Sequence, residues 1–188
     1  MPTQHTDWHH APVHNFTPNT TYMVTAGTIH KQHLYRGPKR LALLQEALLS
    51  IAQQRGWTLQ AWAVFSNHYQ FIGQAPSQGG GIRRLIQHVH SDAARKLNEA
   101  DGTPGRKVWY QYWDKSISFE KSYYPRLHYV IKNAVHHGLV ARAEQYPFCS
   151  AAQFVRDASA AFRKKVESFG FDRLKEPDDW EPAGLGEG

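Results

Sequence analysis

Residues 57–74 constrain the fold more than any other part of this chain. Trp57 to Phe65 reads as a strand, Ser66-Asn67 as a tight turn, and His68 to Gln74 as the next strand. So short a connection forces the two strands to pair antiparallel. The hairpin has a helical pattern on either side of it. Before it, Pro38 favours a helix start, Leu41, Leu44, Leu48 and Ile51 form an apolar stripe, and Gly56 ends it. After it, a loop at 76–81 leads into Ile82, Leu85, Ile86, Val89, Ala93 and Leu97, a long amphipathic helix ending near Gly102.

The rest of the chain extends this unit. Tyr22 to Ile29 is a strand rich in Thr, Val and Tyr, and the aromatic stretch Lys107 to Ser118 holds another. The pattern predicts a helix that opens at Tyr124-Pro125 and stops at Gly138, then a short helical stretch up to about Gly170. Strand, helix, strand, strand, helix, strand, helix with short connections predicts an α+β fold: a ferredoxin-like antiparallel sheet with flanking helices. Residues 1–20 read as a flexible leader, 21–170 as one domain, and 171–188 as a loose acidic tail containing Pro and Gly.

The charge points to a polyanion. The net charge is +6, and the pI is about 9.5. Residues 172–188 hold six acids against two bases, which leaves +10 on residues 1–171. A basic body with many aromatics favours nucleic acid. The single cysteine, Cys149, excludes a disulfide framework and a thiolate zinc site, and fits a reducing cytoplasm. No apolar run approaches the roughly 20 residues of a membrane span. Along the polar side of the long helix, Arg84, His88, Ser91 and Arg95 recur at three- to four-residue spacing, a candidate phosphate track.

Chemistry concentrates in two stretches. In residues 127–138 the apolar Leu127, Val130, Ile131, Ala134 and Val135 occupy one side of a helix; Tyr129, Lys132, Asn133 and His136 occupy the other. Tyr129 and Asn133 are one turn apart and can address one site. In the strand beginning at His68, alternation sends His68 and Gln70 to one face, and Tyr69 and Phe71 to the other. An imidazole with two carboxamide oxygens, from His68, Gln70 and Asn133, suits Mg²⁺ or Mn²⁺ better than Zn²⁺. Tyr129 would lie within reach of a phosphodiester held there. Its weak hydroxyl needs a metal to polarise the phosphorus it attacks. Lys132 and His136 are candidate DNA contacts beside it. His88-Val89-His90 repeats the His-x-His form, but in a helix those imidazoles stand about 200° apart and cannot share one ion.

Four motifs carry a resemblance. Tyr22-Met-Val-Thr, Trp62 to Ile72, Tyr129 to Val140 and Tyr146-Pro-Phe-Cys-Ser, in that order over residues 20–155, resemble the IS200-like Y1 transposases, in particular the REP-associated tyrosine transposases. The resemblance implies an HUH-type single-strand DNA endonuclease and strand transferase, cytoplasmic and nucleoid-associated in bacteria. It implies that Tyr129 is the nucleophile, that His68 and Asn133 are metal ligands, and that the product is a 5′-phosphotyrosine with a free 3′-OH. Single-stranded or hairpin DNA would be the partner, with the protein a monomer or homodimer. The second metal histidine of that pattern falls on Gln70, a proline on Ala134 and a tryptophan on Phe148. Gln70 keeps an oxygen ligand and loses a stronger nitrogen one. Two other readings stand beside the nickase. One is a hairpin-binding module that has lost cutting at Gln70. The other is an RNA-binding domain that stacks bases on a similar sheet.

Overall fold

The computed structural model describes residues 20–78, 81–176 and 178. The leader, apart from residue 20, and most of the tail lie outside them. Strand β1 (Thr21–Thr28) is followed by helix α1 (Pro38–Gln54), the hairpin β2 (Thr58–Val64) and β3 (His68–Gln74), helix α2 (Ile82–Asp101) and strand β4 (Trp109–Ile117). Three α-helices follow among the described residues: α3 (Glu120–His136), α4 (Ala151–Asp157) and α5 (Ala160–Glu167). The sheet order is β2-β3-β1-β4, and every neighbouring pair is antiparallel. This is the ferredoxin-like arrangement that the element order predicts.

Strand alternation divides the interior into two cores. Val24, Ala26, Tyr69 and Phe71 face α1 and α2, where they pack with Leu44, Leu48, Leu85 and Val89. Met23, Ala61, Ala63 and Ile72 face the other way, onto Leu127, Val130, Ile131 and Ala134 of α3. The apolar side expected of α3 is thus the side that docks. Truncating a wholly buried residue such as Leu127 to alanine would cost roughly 2–5 kcal/mol. Helix α3 starts at Glu120 rather than at Pro125. Pro125 thus lies inside the helix, in its second turn, where it forgoes the hydrogen bond to the carbonyl of Lys121; the buried Tyr123 and Tyr124 anchor these first turns. Gly138 follows the helix with φ 70°, the left-handed conformation that ends helices cheaply on glycine.

The fourth motif closes the exposed edge of β2. The Val64 N–H donates to the Phe148 carbonyl at 2.8 Å and the Ser150 N–H to the Trp62 carbonyl at 2.9 Å. The Tyr146 hydroxyl donates to the Val64 carbonyl at 2.8 Å. An edge strand paired in this way is not a template for a second chain. Among the described residues, no helix is long and apolar enough to cross a membrane.

The sequence suggests that the tail is loose throughout, yet its first part is packed. Phe171 and Leu174 lie against the α3 core, and the Phe171 ring meets Tyr129 edge-on at 5.7 Å. The Glu176 carboxylate is buried between Arg126 (2.5 Å) and Lys115 (3.3 Å). The acidic composition hides two apolar anchors and an acid whose partners lie far back in the chain.

Candidate active site

The site lies on the α3 face of the sheet, where the first residues of β3 pass under α3. His68 and Gln70 project together from β3 and both are fully buried. Asn133 comes down from α3, also fully buried, and its Nδ2 donates to Gln70 Oε1 at 2.6 Å. Tyr129, one turn earlier, is buried to 6% exposure. The structure therefore brings together the four residues that strand and helix periodicity assign to one site.

Two further residues complete it. The Tyr129 hydroxyl donates to Asp178 Oδ2 at 2.6 Å. His137 Nε2 lies 3.0 Å from the same oxygen, and His68 Nε2 lies 3.7 Å from Asp178 Oδ1. His68, His137 and Asp178 can each offer one ligand atom to a common point, with those atoms all within 4.8 Å of one another. His137 is legible in part: Tyr129, Asn133 and His137 succeed one another at four-residue spacing along α3, His137 being the residue that caps its C-terminus. The sequence reading places His136 on this face instead. In the structure the His136 residue is exposed, its ring 6.2 Å from that of Tyr129. Asp178 had no local signal, being one acid among six.

The electrostatics follow from burial. His68 is held down to about 3, chiefly by burial, against the opposing pull of Asp178. It is therefore neutral at physiological pH. Its Nδ1 lies 2.8 Å from Asn67 Oδ1. Donation there leaves the Nε2 lone pair directed at the site, the tautomer a metal ligand needs. Burial raises the Tyr129 phenol well above its usual 10; the Asp178 hydrogen bond adds to this, and the Gln70 amide opposes it. Burial alone would raise Asp178, but its hydrogen bonds from His137 and Tyr129 and the charge of nearby imidazole hold it far below the usual carboxylate range.

The donor set fits a hard or borderline divalent cation. Asn133 Oδ1 is a buried acceptor with no hydrogen-bond partner among the described residues, and buried carbonyl oxygens are costly to leave unsatisfied. Gln70 Oε1 is already used by Asn133, so in this arrangement Gln70 orients a ligand as much as it supplies one.

The remaining candidates lie elsewhere. Helix α2 packs on the opposite face of the sheet. Arg84 is exposed, His88 lies against Arg55, and Arg95 is held by Asp92 and Glu99. His90 points inward, 3.0 Å from the Tyr69 hydroxyl and stacked on Trp109 at 4.2 Å, so the two histidines of that motif do face apart. Lys132 lines a shallow groove with His128 and Glu144, away from Tyr129.

The chain matches no family model. The REP-associated tyrosine transposase of Escherichia coli (strain K12) is 23% identical over 118 residues, 62% of this chain and 66% of that protein. The chain thus spans just under two thirds of that relative's length. A solved structure of a REP-associated tyrosine transposase bound to a REP hairpin superposes with a TM-score of 0.61 at 19% identity, covering 92% of each chain. In sequence and in fold, the chain resembles the REP-associated tyrosine transposases.

Proposed function

We propose that this chain is a metal-dependent, tyrosine-type DNA nickase and strand transferase acting on single strands beside a hairpin. The observation that carries the reading is the convergence of one phenol with His68, Gln70 and Asn133, from two elements far apart in sequence, on one buried face. The REP hairpin bound by the structural neighbour supports hairpin DNA as the partner.

His68 and Asn133, with Gln70 or with His137 and Asp178, would hold Mg²⁺ or Mn²⁺. When bound, such an ion neutralises the phosphoryl oxygens of the attacked diester and helps hold it in line. The Tyr129 oxygen forms a bond to phosphorus while the bond from phosphorus to the 3′ oxygen breaks. The phenol proton leaves, the 3′ oxygen gains one, and the products are a 5′-phosphotyrosine and a free 3′-OH. The phosphotyrosine conserves the bond energy for rejoining to another 3′ end. Asn67 fixes the His68 ring, and Phe65, stacked on His68 at 4.7 Å and edge-on to His137 at 4.5 Å, keeps bulk water from both.

A hairpin oligonucleotide with a cleavable single-stranded flank tests this. Incubation with Mn²⁺ should give a covalent adduct of defined mass, absent in EDTA and absent in Tyr129→Phe, which should still bind the hairpin. A specific observation favours the alternative, a binding module without cutting: the Tyr129 proton is held by Asp178, and Gln70 Oε1 is occupied by Asn133. Hairpin binding with no adduct in any divalent metal would establish that module. Preference for RNA over DNA of the same sequence would overturn both readings.

A further inference from the structure

A cavity of about 260 Å³ opens on the α3 face of the sheet, lined by Met23, Thr25, Trp113, Asp114, Lys115, Lys175 and Glu176. Its position is set by strand register. Thr25 of β1 stands opposite Gln70 on one side and opposite Trp113 on the other. Met23 stands opposite Lys115 in the same way. Paired residues share a face, so Trp113, Thr25 and Gln70 form one row across three adjacent strands, all turned toward α3. With neighbouring strands about 4.8 Å apart, Trp113 sits about 10 Å from Gln70 along that row.

We propose that this cavity is a subsite for one unpaired nucleobase of the DNA strand flanking the phosphodiester at Tyr129. The inference rests on the reading that the chain acts on single-stranded DNA. The chemistry of the lining favours a base over other occupants. The lining holds the half-buried indole of Trp113, which offers a stacking face, the buried Met23 and Thr25, and two lysines, Lys115 and Lys175, whose charge suits a sugar-phosphate. Glu176, fixed by Arg126 and Lys115, supplies an acceptor for an exocyclic amine. The volume is ample for a purine. The separation from Gln70 suits a nucleotide next to the one being cut, not the reacting group itself. Trp113 is a positioning residue in this scheme; it touches the substrate strand and not the reacting atoms.

An abasic scan tests the inference. Hairpins carrying a single-stranded flank are made with one base at a time removed, and binding is measured by anisotropy for the wild-type chain, Trp113→Ala and Trp113→Phe. In the wild type, one abasic position should weaken binding about tenfold. Trp113→Ala should weaken binding of the intact flanked hairpin about tenfold and show no further loss at that position, the non-additivity expected of two groups in contact. Trp113→Phe should recover most of the affinity. Binding of a hairpin without a flank should be equal in all three chains, which also shows that the variants fold. If no abasic position matters in the wild type, or if Trp113→Ala weakens the flankless hairpin as much as the flanked one, the subsite is wrong while the DNA reading stands. If the wild type binds neither hairpin, the DNA reading itself fails.

Discussion

Replacing Asp178 by asparagine removes one charge and almost no volume from the site, and its effect on Tyr129 can be worked out from the structure. The phenol donates to an ionised carboxylate at 2.6 Å. A hydrogen bond to a charged partner contributes about 1.5–3 kcal/mol, against about 0.5–1.5 kcal/mol for a neutral pair. The difference, a little over 1 kcal/mol, favours the protonated phenol, because the phenolate would face Asp178 as a second anion. One pKa unit corresponds to about 1.4 kcal/mol. Asp178→Asn should therefore lower the Tyr129 pKa by about one unit, leaving the larger effect of burial in place. At a fixed pH below that pKa, the phenolate fraction rises about tenfold. Single-turnover adduct formation with a flanked hairpin, at saturating Mn²⁺ between pH 7 and 9, should be up to about tenfold faster in Asp178→Asn. The pH profile should shift to lower pH by the same unit. The opposite result refutes the reasoning: a rate loss of tenfold or more, together with weaker Mn²⁺ binding, would make Asp178 a metal ligand that asparagine cannot replace. An unchanged rate and profile would mean that the tail leaves the site before DNA is cut.

Gln70→His places a nitrogen donor where strand alternation already aims the side chain, and should tighten Mn²⁺ binding about tenfold, roughly 1.4 kcal/mol, with less effect on Mg²⁺; metal titration monitored by calorimetry checks it, and no change would place position 70 outside the coordination sphere. Arg84→Ala with Arg95→Ala should flatten the salt dependence of DNA affinity if α2 tracks phosphates. The engagement of Arg95 by Asp92 and Glu99 makes Arg84 the larger contributor, and an unchanged slope would move the track to another face. Burial holds His68 and His90 down to about 3, so both stay neutral in the fold while the unfolded chain protonates them near 6.5. Their contribution is intact above pH 6.5 and is lost as pH falls toward 3, at up to about 1.4 kcal/mol per pH unit each. Urea midpoints should drop between pH 7 and 5 with uptake of about two protons on unfolding; a flat profile over that range would show that these rings are solvated.

What could be read from the sequence, and what could not, divides by the range of the interaction. Residues 57–74 specify their own pairing because the turn is too short for anything else, and the alternation of β3 then assigns His68 and Gln70 to one face without knowledge of what covers it. Leu127, Val130, Ile131 and Ala134 announce the docked side of α3 in the same way, and their packing on Met23 and Ile72 is what aims Tyr129 and Asn133 at β3. Both inferences use a period of two or of 3.6 and need no distant contact. The choice between His136 and His137 is finer. One residue is 100° of rotation, and the polar side of α3 is wide enough to include either; the four-residue step from Tyr129 through Asn133 is the better guide, and it leads to His137. The position of α2 relative to the site was beyond local reasoning, since its basic spacing is the same whichever face of the sheet the helix covers. Asp178 was furthest from reach. It enters the site because Phe171 and Leu174 bind the chain to α3 and Glu176 pairs with Arg126, three contacts that are separate in the sequence and decisive only together. The acid that holds the Tyr129 hydroxyl thus comes from the segment whose composition argued most strongly against structure.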